Sequence, residues 1–388
     1  MMKLEQVTGI KPDTRTFNGD DRLVLPKCYV GVESETEGKR YSRIQSIPFW
    51  NIVEDGSLRD GAEFVLSNPL VGEDLISALE VLEDKCRRGY KQSVRTSVHI
   101  HIDVRDLSAE QLLTFIGLYL IFEKAIYRYH NHKYNREDNI YCLPFYKTNR
   151  FLTSLGSLSY LKDTGFDEDE LPGFLRQSLS QMNKYYGLNV ASVFRFGSLE
   201  FRHMEGSTKK DAILQWINII MSMKKYAMSF TGDHTQILQT ISASGYKTLT
   251  NQVFSDELYD ALFNYDNELE DIYSGMQIFQ DILYHNVLER RGSVWNSYIS
   301  KKNPEYKESK LYQKVSAKGK SKGRTSEVRS NNPPPIRTTS PATLDDLVLP
   351  PVTYQNIDSE DVQRMQRALD EAGVIVGGRT NVTDTGDE

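Results

Sequence analysis

The sequence predicts an α+β fold in which a sheet of short strands packs against amphipathic helices. In several short segments apolar and polar residues alternate, which is the period of a strand with one buried face. In longer segments apolar residues recur every three or four positions, which is the period of a helix with one buried face. The chain has 388 residues, of which 39% are hydrophobic, so it can bury a substantial core.

The strand candidate on which the functional interpretation depends most spans residues 97–104. His99, His101 and Asp103 alternate there with apolar residues, so one face of the strand carries two imidazoles and a carboxylate. A solvent-facing strand with polar residues is the alternative interpretation. The other strand candidates are residues 28–35, 48–54, 61–67, 189–194 and 198–204, the last two joined by a tight turn at Phe196 and Gly197.

The helical spacing of apolar residues predicts the helices that pack against the sheet. The predicted helices span residues 72–88, 171–186, 208–230 and 256–289, and a further helix follows Ser108. Ser108 and Gln111 have the spacing of a capping box, in which each side chain binds the backbone N–H of the other residue. The polar segment 129–151 is expected to be a long ordered loop.

Composition divides the chain into four parts. Residues 1–27 are a polar leader, and residues 28–300 are the main folded domain with a helical C-terminal part. Residues 301–342 form a basic linker rich in Pro and Ser that is expected to be disordered, either as a solvated tether or as a contact for a polyanion. Residues 343–388 form a tail with one short helix, 358–372, that could dock on the main domain or on a protein partner.

Several classes of protein are disfavoured by the composition. The net charge of −6 gives no global attraction to nucleic acid. Three scattered cysteines, Cys28, Cys86 and Cys142, fit neither a disulfide framework nor a zinc site of the CxxC type. No segment has the length and hydropathy of a signal peptide or a membrane span. We therefore expect a protein of the cytoplasm without a membrane partner.

Four strand candidates carry acidic or imidazole side chains with period two. If these strands are neighbours, their carboxylates repel each other unless cations lie among them. Oxygen-rich ligation with one or two imidazoles suits Mg²⁺ or Mn²⁺, and Mg²⁺ commonly joins protein carboxylates to the phosphates of a nucleotide. Arg202 shares a face with Glu200 and could bind a phosphoryl group, or it could form an ion pair with Glu200 or Glu205.

The ordered motifs resemble the amidoligase family. They lie at residues 31–35, 55–58, 63–70, 99–103, 136–142 and 199–207. This family belongs to the carboxylate–amine ligases related to glutamine synthetase and glutamate–cysteine ligase, and the resemblance extends over about residues 28–230. It implies a glutamine synthetase-like catalytic domain: an antiparallel sheet whose concave face binds ATP and metal ions, with helices packed on the other face.

The resemblance also implies roles for individual residues. The implied ligands of Mg²⁺ or Mn²⁺ are Glu33, Glu35, Glu63, His99, His101 and Glu200. The implied contacts to ATP are His99, His101 and Arg202, and the implied catalytic residues are Arg202 and Arg136. Asp103 is a further catalytic candidate that the resemblance does not imply. Arg136 corresponds to a basic residue expected to meet phosphate or the carboxylate substrate, and Asp103 and Glu205 are candidate bases by location alone.

The predicted function is therefore ATP-dependent ligation of a carboxylate to an amine through an acyl phosphate. The carboxylate would belong to an amino acid, a peptide or a protein, and no specific nucleic acid is expected as a partner. Two alternatives stay open at this point. One is an inactive ligase fold that serves as an assembly scaffold through its C-terminal tail, and the other is a metal-dependent hydrolase that uses His99 and His101.

Overall fold

The computed structural model describes residues 2–11, 17–147, 171–179, 182, 184–232 and 234–283. Within them lies an open six-stranded sheet in which each strand runs antiparallel to its neighbours. The strands in chain order are β1 (Val30–Thr36), β2 (Trp50–Val53), β3 (Ala62–Leu66), β4 (Ser97–Asp103), β5 (Leu188–Asn189) and β6 (Ser198–Glu205). Across the sheet their order is β2-β3-β1-β4-β6-β5. The predicted α+β class is confirmed.

The described residues also form α-helices before, between and after the strands. They are α1 (Leu4–Thr8), α2 (Gly72–Cys86), α3 (Ala109–His130), α4 (Leu171–Leu179), α5 (Val193–Phe196), α6 (Lys210–Ser229), α7 (His234–Ser244), α8 (Tyr246–Val253), α9 (Asp256–Phe263) and α10 (Glu268–Leu283). Helix α3 begins with the predicted capping box, because Ser108 Oγ accepts from the Gln111 N–H and Gln111 Oε1 accepts from the Ser108 N–H. None of the described helices is both long and apolar enough to cross a membrane.

Helices α2, α3 and α6 cover one face of the sheet. The strand residues on this face are apolar and buried, among them Val32, Phe64 and Ile100. The ring of Phe115 in α3 lies 5.9 Å from the ring of Phe201 in β6, between centroids. Because side chains alternate along a strand, the polar residues of the same strands occupy the other face.

Two predicted elements differ in kind or in continuity from the structure. Residues 189–194 do not form a strand beyond Asn189, because the Asn189 side chain accepts from the Ala191 N–H and begins a turn that leads into α5. Gly197, at φ +72°, ends that short helix in the left-handed region. The helix predicted over 256–289 is divided into α9 and α10 around Asn267, whose φ is +71°. Residues 284–289 lie outside the described part, and helices α7 and α8 had not been predicted.

The N-terminal segment is more buried than a polar leader is expected to be. Leu4 and Val7 of α1 are buried, and the Leu4 N–H donates to the Leu107 carbonyl at 2.8 Å. This part of residues 1–27 therefore packs with the domain. The linker 301–342, the tail 343–388 and most of the loop beyond residue 147 lie outside the described residues.

The two ends of the sheet are defined by the first and last residues of β4, Ser97 and Asp103. At the Asp103 end, β4 finishes opposite the first residue of β6, Ser198. At the Ser97 end, β4 begins opposite Glu205, and β1 finishes opposite Ala62.

Candidate active site

Strand register brings the predicted polar residues together on the face opposite the helices. Glu35 on β1 pairs with Glu63 on β3, and Glu33 pairs with His99 on β4. On the other side of β4, His101 pairs with Glu200 on β6. Gly31 faces His101, and a Cβ at this position would lie 3.1 Å from the His101 Cβ. The absence of a side chain at residue 31 therefore leaves room for the His101 ring.

A β-bulge in β6 shapes the same region. Val98 pairs with Met204 and Ile100 with Phe201, so His99 alone opposes both Arg202 and His203. Such a bulge redirects side chains next to it. Arg202 shares the polar face with Glu200, to which its Nη1 donates, whereas His203 contacts the rings of Tyr119 and Trp216 on the helix side.

His99 connects two carboxylates through a chain of hydrogen bonds. Ser97 donates its backbone N–H and its hydroxyl to Glu35 Oε2, both at 2.7 Å. Because the hydroxyl proton is used there, Ser97 Oγ accepts from His99 Nε2 at 2.9 Å. The other ring nitrogen, Nδ1, lies 2.9 Å from Glu33 Oε2. His99 is thus held by both of its nitrogens.

His101 has a nitrogen that the protein leaves without a hydrogen bond. Its Nδ1 lies 3.1 Å from Ser198 Oγ, whereas its buried Nε2 makes no hydrogen bond and lies 3.4 Å from Glu33 Oε1. Burial lowers the pKa of His101, but the carboxylates of Glu33 and Glu200 raise it above its ordinary value. His101 therefore contributes positive charge to the carboxylates of Glu33 and Glu200.

The carboxylates that lie closest to the imidazoles stay charged. Burial raises the pKa of Glu33, but the contacts that His101 and His99 make with this carboxylate outweigh burial and lower the pKa below its ordinary value. Burial likewise raises the pKa of Glu200, and the charges of Arg202 and both histidines lower it. Both groups are therefore anionic at neutral pH.

Carboxylates nearer the Ser97 end lack this compensation. Burial raises the pKa of Glu35. The pKa of Glu63 rises to about 8, first through burial and then through the charges of Glu33, Glu35 and Asp55. Negative charge thus exceeds what the neighbouring cations neutralise.

Three sets of side chains place ligand atoms within 4.8 Å of one another. They are Glu33, Glu63 and His99; Glu33, His101 and Glu200; and Glu35, Asp55 and Glu63. The structure therefore brings together all six residues predicted as metal ligands. Asp55 had not been predicted, because it lies in the turn after β2 and the sequence indicated only turn chemistry at that position.

Arg202 lies beside this cluster. Its Nη1 pairs with Glu200 Oε1, and its Nε donates to the Tyr141 carbonyl at 3.1 Å. Asn189 Nδ2 donates to the second oxygen of Glu200 at 2.7 Å. The ion pair anticipated between Arg202 and Glu200 is present. A phosphate contact of Arg202 stays a prediction.

Asp103 and Arg136, the other predicted catalytic residues, are engaged elsewhere. Both oxygens of Asp103 accept from Arg105, at 2.8 and 3.1 Å. The buried guanidinium of Arg136 donates to the carbonyls of Arg202 and His203, so it supports the backbone of β6 at the bulge. Glu205 Oε2 accepts from the Tyr134 N–H. The sequence showed the charge of these residues but not their partners.

A cavity of about 200 Å³ opens at the Asp103 end, next to the cluster. Glu33 and His101 line it on the side of the cluster, and Asp103 and Arg105 line its far side. The remaining wall includes apolar side chains, among them Tyr29, Val65, Leu66, Pro69 and Phe196. Phe196 is 51% exposed, and its ring lies edge-on to His101 at 5.6 Å between centroids. The cavity can therefore receive a planar apolar group.

The fold and the site define an α+β protein with a carboxylate- and imidazole-rich cluster on the uncovered face of an antiparallel sheet. The chain belongs to the amidoligase family: the family model described as "Putative amidoligase enzyme" matches residues 29–223, about half of the chain. The match contains every residue of the cluster. A search of curated proteins finds no match. At this coarse level the chain is a ligase-type enzyme.

Proposed function

We propose that the protein is an ATP-dependent carboxylate–amine ligase that works with Mg²⁺ or Mn²⁺. The observation that carries the proposal is the cluster itself, in which five carboxylates, two imidazoles and one arginine meet across adjacent strands. All of them lie within the span matched by the amidoligase family. We also propose that this polar face is the concave, nucleotide-binding face of a glutamine synthetase-like catalytic domain.

The donor set suits hard divalent cations. Carboxylate oxygens dominate each of the three ligand sets, with one imidazole in two of them. The raised pKa of Glu63 indicates that positive charge is missing from the cluster. The residues that would hold the cations are Glu33, Glu35, Asp55, Glu63, His101 and Glu200. His99, whose two ring nitrogens are engaged by Ser97 and Glu33, would position the carboxylates. Bound there, the cations would neutralise the triphosphate and polarise its γ-phosphoryl group.

The reaction follows from the poor reactivity of a carboxylate as an acyl donor. A substrate carboxylate oxygen attacks the γ-phosphorus of ATP, the bond from this phosphorus to the β,γ-bridging oxygen breaks, and ADP leaves. The amine nitrogen then attacks the carbonyl carbon of the acyl phosphate. The carbon–oxygen bond to the phosphoryl group breaks, inorganic phosphate leaves, and the amine loses a proton as the amide forms.

Arg202 is the residue that we assign to the phosphoryl group. Its guanidinium is permanently charged and is held by Glu200 and the Tyr141 carbonyl, so little reorganisation is needed to meet developing negative charge. Glu200 thus has two roles in the proposal, as a metal ligand and as the partner of Arg202. His99, fixed at both nitrogens, keeps Glu33 and Glu35 in their positions.

We assign the base of the nucleotide to the cavity at the Asp103 end. Its apolar wall and the exposed ring of Phe196 suit a purine, and His101 and Glu33 connect it to the cluster. Arg105 is tied to Asp103 and to the Lys11 carbonyl, so the cavity contains no arginine dedicated to a carboxylate ligand. This supports a neutral ring as its occupant.

The test is Mg²⁺-dependent ADP release in a screen of carboxylate–amine pairs, with mass analysis of the product. We expect Glu33→Ala and Arg202→Ala to abolish ADP release, and Arg202→Lys to lower it strongly, because lysine cannot reproduce a two-pronged contact. Glu73→Ala, at an exposed position of α2, is the matched control and should keep full activity. Thermal unfolding of each variant verifies folding. Unchanged activity in both Glu33→Ala and Arg202→Ala would overturn the proposal.

A further inference from the structure

A basic surface adjoins the Ser97 end of the cluster. Its side chains come from three segments, 37–43 after β1, 54–61 before β3, and 87–95 before β4. We name it the basic rim, and its exposed members are Lys39, Arg40, Arg43, Arg59, Arg87, Arg88 and Lys91. With the half-buried Arg95, these segments carry eight cations against four carboxylates, a formal charge of +4 in a chain of net charge −6.

The three segments form one surface. Glu37 and Lys91 exchange backbone hydrogen bonds at 2.8 and 2.9 Å, and Glu37 Oε1 accepts from the Arg59 N–H at 2.8 Å. Lys39 Nζ lies 4.5 Å from the centre of the Tyr90 ring. These contacts hold the cations together on a single edge of the molecule.

Most of this positive charge is uncompensated. Arg40 pairs with Asp60 and Arg87 pairs with Asp84. Among the ion pairs between described residues, none involves Lys39, Arg43, Arg59, Arg88 or Lys91. Exposed cations that lack local partners produce a field that attracts an anionic molecule.

The basic rim is connected directly to the cluster. Asp55, a member of one ligand set, accepts from the Ser57 N–H at 2.6 Å. The Ser57 carbonyl in turn accepts from Arg95 Nη1 at 3.2 Å. A chain bound along the basic rim would therefore lie next to Asp55, at the Ser97 end of the carboxylate cluster.

We propose that the carboxylate substrate is part of an acidic polypeptide, which the basic rim binds while one of its carboxylates is activated. This inference rests on the proposed function. A single amino acid would have no use for cations spread over three loops, whereas an acidic peptide has a charge on many residues. Single-stranded nucleic acid is less suited, because its recognition combines cations with free aromatic faces, and the Tyr90 ring is covered by Lys39.

Fluorescence anisotropy of a labelled decameric poly-glutamate peptide tests the proposal without ATP. At about 50 mM salt, where screening is weak, we expect the full-length protein to bind this peptide and not a decameric poly-glutamine. The variant Arg88→Glu/Lys91→Glu should bind about tenfold more weakly. The control Lys225→Glu/Lys247→Glu changes exposed cations on α6 and α8 by the same charge and should bind like the wild type.

Three outcomes would overturn the proposal: no binding of poly-glutamate by the wild type, equal weakening in both double variants, or tighter binding of a single-stranded DNA of matched charge. Calorimetry with ATP and Mg²⁺ on the same proteins separates this result from the proposed function. Nucleotide binding without peptide binding would refute the basic rim alone. Peptide binding without nucleotide binding would refute the ligase and leave the basic rim as a peptide-binding surface.

Discussion

The two faces of the sheet both bury ionisable side chains, but they differ in how the protein satisfies them. On the helix side, the carboxylate of Glu123 accepts from the Phe145 and Tyr146 N–H groups and from the Tyr119 hydroxyl. Burial keeps the nearby His203 neutral by lowering its pKa far below the ordinary value. On the uncovered face, five carboxylates share two imidazoles and one arginine.

This difference separates a structural polar network from a binding site. On the helix side, hydrogen-bond donors of the protein itself satisfy the carboxyl group of Glu123. The surplus of negative charge on the uncovered face lowers the stability of the folded protein unless a cation binds there. Such uncompensated charge is typical of a functional site. Removing a polar side chain from the helix side should therefore lower the free energy of unfolding. Removing one from the uncovered face should weaken ligand binding.

The largest effect on stability is expected from Glu123→Ala. This change leaves the Phe145 and Tyr146 N–H groups without their acceptor, so the free energy of unfolding should fall by about 3 kcal/mol. Urea denaturation measures it, with the exposed Glu110→Ala on the same helix as the control. A loss below about 1 kcal/mol would show that the two faces do not differ as described.

On the uncovered face, divalent cations should stabilise the protein. At a Mg²⁺ concentration one hundred times its Kd, we expect a gain of about 2.7 kcal/mol in the free energy of unfolding. Glu33→Gln, which removes a member of two ligand sets, should lose most of this gain, and Glu110→Ala should keep it. An equal gain in all three proteins would point to binding elsewhere.

The pH dependence of stability should reveal Glu123. Burial raises the pKa of Glu123 to about 8, so between about pH 5 and 8 the folded state retains a proton that the unfolded chain releases. Stability should therefore fall as the pH rises through this interval, by at most about 1.4 kcal/mol per pH unit from this group.

Glu123→Gln isolates this contribution, because other groups titrate in both proteins and cancel in the difference. Wild-type stability should decline relative to the Gln variant between pH 5 and 8, as measured by urea denaturation. A constant difference across the interval would contradict the assignment.

The smallest effect is expected at Glu63. In the absence of divalent cations, Glu63→Gln removes repulsion from Glu33, Glu35 and Asp55, so it should raise stability by roughly 0.5 kcal/mol. Added Mg²⁺ should reverse the order and make the wild type the more stable protein. Thermal unfolding with and without Mg²⁺ measures both, and a destabilised variant in metal-free buffer would contradict the account of surplus charge.

The strands and the members of their shared face could be predicted from the sequence because side-chain alternation is a local property. It was enough to identify Glu33, Glu63, His99 and Glu200 as neighbours before their register was known. Asp55 could not be found in this way, since its position depends on the path of a loop between β2 and β3.

The hydrogen-bond partners of the charged side chains also could not be predicted from the local sequence pattern. Arg136 lies in a motif with a charge suited to phosphate, yet its guanidinium binds the backbone carbonyls at the bulge of β6. The bulge itself, and the turn that Asn189 begins, arise from side chain–backbone hydrogen bonds that compete with the ladder. Such competition is decided by tertiary contacts, which a period-two pattern does not contain.

The central claim is that the carboxylate cluster binds a nucleotide together with divalent cations, and isothermal titration calorimetry with ATP and Mg²⁺ tests it most directly. We expect saturable binding by the wild type, its loss in Glu33→Gln, and its retention in the exposed variant Glu110→Ala. Absence of ATP binding by the wild type at millimolar nucleotide would contradict the claim and favour a ligase fold that serves as a scaffold. Tightly retained zinc in the purified protein would instead favour a metal-dependent hydrolase.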